Sequence, residues 1–182
     1  ASLLEAVGGP EALIHFATRL GFDTTAWPHE YGLALGQAEV SVLELARFTA
    51  TVARGGALAS ARPVLLAVDA AGVVRVPPPE PGETVLTPEA AAITRDLMRL
   101  VVEFGTGGRA RGTGGMAGFQ GPMIGKTGTT DGERDLWFTG ATARYAGALW
   151  VGRDTPGSIG VSASDFTAPL WGWWQQAVHQ GL

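Results

Sequence analysis

The sequence predicts an α+β fold, an antiparallel sheet packed with helices, in one domain. Three observations carry the prediction. Helical patterns come first, around residues 11–20, 41–54 and 87–104. Three apolar runs then follow one another at 122–129, 136–143 and 146–152, joined by turns too short for a parallel crossover. A last apolar stripe, at Phe166, Leu170, Trp173, Trp174 and Ala177, has helical spacing. Helices, then consecutive strands, then a closing helix is not the alternation of a parallel α/β fold.

Each element has a local cause. Ala1 to Gly9 reads as the end of a helix already under way, and Gly8-Gly9-Pro10 as a break. Leu13, Phe16, Ala17 and Leu20 then share one helix face. Residues 21–40 read as loop. Ser41 and Glu44 have the spacing of a capping box, in which each side chain satisfies the other residue's amide. Leu45, Phe48 and Val52 form that helix's apolar face, and Gly55-Gly56 should end it in a left-handed turn. Residues 64–76 read as a hairpin turning at Asp69 to Gly72, followed by the stiff Pro77 to Gly82 linker. Thr87-Pro88-Glu89 is a helix start: a hydroxyl cap, a proline in the first turn and an acid at the positive end of the dipole. Ile93, Leu97, Leu100, Val101 and Phe104 give that helix one stripe, which Gly105 stops. The glycine-rich residues 105–121 fit either a flap or a plain loop.

Composition excludes several functions. Apolar residues make up 46% and charged residues 16%, the balance of a globular chain rather than a disordered one. The net charge is −4 and no basic run occurs, so nucleic-acid binding has no electrostatic support. The absence of cysteine removes disulfides and thiolate-bound zinc. His15, His29 and His179 lack ligand spacing, so no metal and no cofactor are expected. No stretch has the uninterrupted apolar length of a membrane-spanning helix.

The segment that carries chemistry is Gly125-Lys126-Thr127-Gly128-Thr129-Thr130. Lys126 is the one lysine beside twelve arginines, set in an apolar, glycine-rich run. An ammonium flanked by hydroxyls can clamp a carboxylate, since charge-assisted hydrogen bonds are the stronger ones. Gly128 would let a second backbone lie close along the strand. A bare Lys-Thr-Gly is a weak signal by itself, since tripeptides recur by chance, and a solvated lysine on an edge strand is then the better reading.

More of the chain matches one family. Arg134-Asp135-Leu136-Trp137-Phe138-Thr139-Gly140, Leu149-Trp150-Val151-Gly152, Leu33-Ala34-Leu35-Gly36, Glu39-Val40-Ser41 and Val102-Glu103-Phe104-Gly105-Thr106-Gly107 occur in order around it. Together these resemble the class A penicillin-binding proteins, the bifunctional peptidoglycan synthases, over the C-terminal part of their transpeptidase domain. The resemblance implies the penicillin-binding transpeptidase / serine β-lactamase-like fold, truncated at the N-terminus. It implies acyl transfer from D-Ala-D-Ala stem peptides to a neighbouring amine, with β-lactams as substrate mimics. Lys126 and Thr129 would be catalytic. Lys126, Thr127, Gly128, Thr129 and Thr130 would bind substrate, with the Thr129 amide as an oxyanion donor. The family also needs Ser-x-x-Lys and Ser-x-Asn. No serine here has Lys three residues on or Asn two residues on, and the chain contains no asparagine. Nucleophile, base and relay are therefore expected on upstream chain, and the fragment alone is expected to be inactive. Its partners would be stem peptide, β-lactams and the missing part of its own domain, with a membrane reached only through an N-terminal anchor outside this sequence. By the same resemblance the location is extracytoplasmic, on the periplasmic side of the bacterial inner membrane.

Two other readings stay open: a non-catalytic peptidoglycan- or β-lactam-binding module, and a relative of D,D-carboxypeptidases or serine β-lactamases. Arg134 and Asp135 are expected to make a structural bridge or turn cap, the histidines to pack or face solvent, and Trp171, Trp173 and Trp174 to close the core. Loss of the nucleophile's helix should leave an apolar patch and drive self-association.

Overall fold

The computed structural model describes residues 2–58, 60–80, 82–155 and 157–180. A short helix α1 (Ser2–Ala6) leads through Gly8, at φ 105°, into α2 (Gly9–Arg19). The chain does break direction at Gly8, but α2 starts two residues earlier than the pattern predicts. Pro10 sits in its first turn, where no intrahelical amide bond is lost. Within the 21–40 loop, Tyr31–Leu35 winds into a 3₁₀ turn. Helix α3 (Val42–Ala53) carries the predicted capping box: Ser41 Oγ accepts from the Glu44 amide at 3.2 Å, and Glu44 Oε2 accepts from the Ser41 amide at 2.7 Å. Its end is a Schellman turn, with Gly56 N–H to Thr51 O at 2.9 Å, Gly55 N–H to Val52 O at 3.2 Å, and Gly55 at φ 76°.

The hairpin forms but is short. Strand β1 (Ala67–Val68) pairs with β2 (Val74–Val76) across an irregular register, and Val64, Leu65 and Leu66 stay exposed outside it. Asp69 organises the turn by accepting from the amides of Ala71 and Val73 and from Arg75. With no third strand beside it among the described residues, this ribbon has little apolar surface to cover.

Helix α4 (Pro88–Phe104) starts as predicted, with Thr87 Oγ1 accepting from the Ala90 amide. Its stripe is where the structure departs from the pattern. Ile93, Leu97 and Phe104 are 63%, 60% and 83% exposed, and Leu100 also faces out. The face turned inward carries Ala91, Met98 and Val102. Beyond α4, residues 105–121 hold a 3₁₀ turn (Gly108–Arg111) and a two-residue ladder of β3 (Gly112–Thr113) with β4 (Met116–Ala117). Ala110 and Phe119 are buried and anchor the segment, while Thr113 to Ala117 are exposed.

The meander follows: β5 (Met123–Thr129), β6 (Leu136–Thr142) and β7 (Ala146–Val151), antiparallel in the order β5-β6-β7. Side-chain parity separates its faces. Thr139 meets Thr49 of α3, hydroxyl to hydroxyl at 2.5 Å, so α3 and α4 lie on that side. Phe138 meets Trp171 of the closing helix α5 (Thr167–Gln180) on the other, ring centroids 5.1 Å apart. Gly140 is glycine because a Cβ there would sit 2.9 Å from the Trp171 ring and 2.6 Å from a backbone oxygen. In α5 the inward residues are Ala168, Trp171, Gly172 and Gln175. Of the three tryptophans expected to close the core, Trp171 does so. Trp173 and Trp174 are half-exposed, and so is Phe166. Each side of the sheet thus has its own core, one around Phe138 and Trp171, the other around Val52, Ala91 and Met98.

Candidate active-site edge

β5 is an edge strand, since among the described residues no strand pairs with its outer side. The ladder decides which of its amides are free. Thr130 N–H donates to Asp135 O at 3.1 Å, and Thr142 N–H to Tyr145 O at 2.8 Å. In an antiparallel pair bonded and non-bonded residues alternate. Counting back through the Thr129↔Leu136 register, Ile124, Lys126 and Gly128 are bonded to β6. The amides and carbonyls of Gly125, Thr127 and Thr129 therefore turn toward the open edge. Lys126 Nζ agrees with this count, donating to the Thr127 carbonyl at 2.7 Å.

The predicted residues diverge within this short strand. Thr127 and Thr129 project to the α5 side, as do Phe138 and Leu136 opposite them, while Lys126 and Gly128 start from the α3–α4 side. Lys126 is exposed, and among the described residues no carboxylate pairs with it. Thr129 is exposed, and its Oγ1 accepts from the Ala163 amide at 3.1 Å, so its hydroxyl proton is still available. Thr127 is 9% exposed, and its hydroxyl lies 2.5 Å from that of Thr106. Gly128 is half-buried beside Trp137, where an added Cβ would come within 3.3 Å of Trp137 Cβ.

Thr130 belongs to the turn. Its hydroxyl accepts from the Asp135 amide at 2.9 Å and reaches Asp135 Oδ2 at 3.2 Å. This pair is the turn cap expected of Asp135, whose Oδ1 also accepts from Trp150 Nε1 at 3.0 Å. Arg134 is exposed beside it. Of the histidines, His179 packs between Phe119 and Tyr145, and His29 pairs with Glu11 on the surface. Among the described residues no cluster of His, Asp and Glu could hold a metal ion.

One residue at this edge escaped the sequence reading. Thr106 follows α4 and meets the Lys-Thr-Gly strand at Thr127, 21 residues away. Its signal was the Gly105-Thr106-Gly107 run, where a hydroxyl between two glycines reads as plain loop chemistry. The edge can thus offer an anion one ammonium, up to two hydroxyl protons and outward backbone amides.

Comparison with known proteins gives consistent matches. The model of the penicillin binding protein transpeptidase domain matches residues 18–151. Penicillin-binding protein 1A of Clostridium botulinum is 32% identical over 153 residues, covering 82% of this chain and 18% of the relative. Penicillin-binding protein 1A of Aquifex aeolicus is 33% identical over 173 residues, covering 93% and 22%. Among solved structures, penicillin-binding protein PonA1 from Mycobacterium tuberculosis aligns with a TM-score of 0.76 at 24% identity, over 96% of this chain and 50% of that one. Penicillin-binding protein 1A from Haemophilus influenzae aligns with a TM-score of 0.78 at 20% identity, over 96% and 32%. These likenesses show the fold, and this chain spans only a minor part of the relatives' length.

Proposed function

The chain belongs to the penicillin-binding protein transpeptidase domain family, and from that premise we propose that it is the C-terminal portion of a serine-type D,D-transpeptidase domain that cross-links peptidoglycan. The observation that carries the reading is the free β5 edge, on which Lys126 and the outward amides of Thr127 and Thr129 lie together. An extended stem peptide ending in D-Ala-D-Ala would add to this edge as a further strand, with its carboxylate held by Lys126 and the Thr129 hydroxyl. The Thr129 amide would stabilise the oxyanion formed when the serine attacks the carbonyl, a contribution worth about 3 kcal/mol of barrier. Gly128 would keep the face beside the edge low. Thr127 and Thr130 would act indirectly, one through its carbonyl and its pairing with Thr106, the other by closing the turn.

The nucleophile, its base and the relay would come from chain upstream of residue 1, and the exposed α4 stripe supports that division. A helix apolar on two opposite faces fits between two packing partners, and among the described residues its Ile93, Leu97, Leu100 and Phe104 face stays exposed. The complete protein would work on the extracytoplasmic face of a bacterial membrane. Among the described residues no helix is long and apolar enough to cross one. β-Lactams would acylate the missing serine; PonA1 has also been solved in complex with penicillin V.

Intact mass spectrometry after benzylpenicillin treatment tests the reading. This chain alone should gain no adduct. The chain extended with its upstream segment should be acylated, and Lys126→Ala in that longer protein should slow acylation by about a hundredfold. An adduct on this chain's own serines, or unchanged acylation of the Lys126→Ala protein, would refute the assignment.

A further inference from the structure

A groove of about 580 Å³ opens at the far end of β5 from the Lys-Thr-Gly residues. Met123 and Ala141, both buried, border it from β5 and β6. Its rim is cationic. Arg95 and Arg99 reach it from successive turns of α4, and Arg111 from the 3₁₀ turn that follows. Glu103 is the one acid among the lining residues. Three positive charges against one negative stand out in a chain whose net charge is −4.

The three guanidinium groups are not equivalent. Arg99 is held by Glu103 and by Asp96, the latter at 3.6 Å. Arg111 donates through Nη1 to the carbonyls of Gln120 and Gly121, both at 3.3 Å. Those bonds use one of its nitrogens, so the group is fixed in place with donors to spare. Arg95 is exposed at the mouth. A planar guanidinium fork matches phosphate oxygens two at a time.

We propose that this groove binds a compact multivalent anion of the phosphate class, with Arg95 and Arg111 as its donors and Arg99, steadied by Glu103, closing the rim. Ile124, beside the groove, lies roughly 17 Å from Thr129 along the strand at ~3.4 Å per residue. The anion site is therefore separate from the transpeptidase edge and does not depend on that assignment.

Equilibrium dialysis against radiolabelled pyrophosphate at constant ionic strength tests the proposal, and it tolerates self-association of the protein. The expected result is saturable binding that Arg95→Glu weakens by about tenfold, since an attractive contact becomes a repulsive one. Lys126→Ala should leave it unchanged. Because Arg95 is exposed on the surface of α4, its replacement should keep the fold, which circular dichroism checks; Arg95→Ala, with a smaller loss, is the second variant. Co-sedimentation with phosphatidylglycerol vesicles, against phosphatidylcholine controls, separates the sources of the anion. Arg95-dependent sedimentation would identify a lipid headgroup, and its absence alongside pyrophosphate binding would identify a soluble phosphate. Non-saturable pyrophosphate binding, binding indifferent to both Arg95 variants, or binding lost in Lys126→Ala would overturn the proposal.

Discussion

Helices α3 and α4 were equally legible, yet they pack in opposite ways. Both show an apolar stripe in sequence, and both carry the predicted cap. In α3 the stripe is the packed face: Val52 is fully buried, with Leu45 and Phe48 partly so. In α4 the larger side chains of the stripe point to solvent, while Ala91, Met98 and Val102 meet the sheet. The difference lies in the partner. α4 lies close against β5 and α3, where small or flexible side chains let backbones approach, and its bulky side chains are left on the other face. Periodicity identifies which residues share a face. It does not say which of two apolar faces is turned inward.

Paired substitutions on α4 give the sharpest test. Val102→Asp buries a carboxylate against Phe138 and Trp171 and is expected to cost about 4 kcal/mol or more, read as loss of the cooperative thermal transition. Leu97→Asp should leave stability within about 0.5 kcal/mol, and light scattering should show less self-association. Equal destabilisation by the two would mean that the stripe is packed after all.

Helix α5 extends the comparison to a polar side chain. Gln175 is fully buried, and among the described residues neither atom of its side-chain amide has a hydrogen-bond partner. Gln175→Leu should therefore stabilise the fold by about 1–2 kcal/mol in urea denaturation. A loss of stability instead would show that the amide is satisfied in solution.

The two caps complete the series. Thr87→Ala should cost about 1 kcal/mol, independent of pH. Ser41→Ala should cost about as much or slightly more, because it also loosens the capping box. Partial burial opposes ionisation of Glu44, but hydrogen bonds from the Asp23 and Ser41 amides and the Ser41 hydroxyl outweigh it and lower its pKa. A carboxyl whose folded pKa is depressed adds stability that is present above its ordinary value of 4.5 and lost as pH falls through the lower folded value. The deficit of Glu44→Gln relative to the parent should be full at neutral pH and shrink on acidification. A deficit flat with pH would remove the ionised carboxylate from the account of α3.

Where the chain's own chemistry decides, the sequence was enough. Capping hydroxyls, a left-handed Gly55, Pro in the first helical turn and turns too short to cross over act within a few residues. They determined the α+β order, the ends of α3, the start of α4 and the meander. Lys126, a single lysine in an apolar run, is the residue on which the proposed substrate clamp rests. The tertiary structure decided what depends on partners distant in sequence. It turned α4 over, shortened the 64–76 hairpin for want of a third strand, and placed Thr106 against Thr127. It set the Thr127 and Thr129 amides outward through the register of β6, and it gathered arginines from α4 and the next turn around one groove. Each of these follows from which surfaces meet, and that is set by close packing between segments tens of residues apart rather than by any local preference.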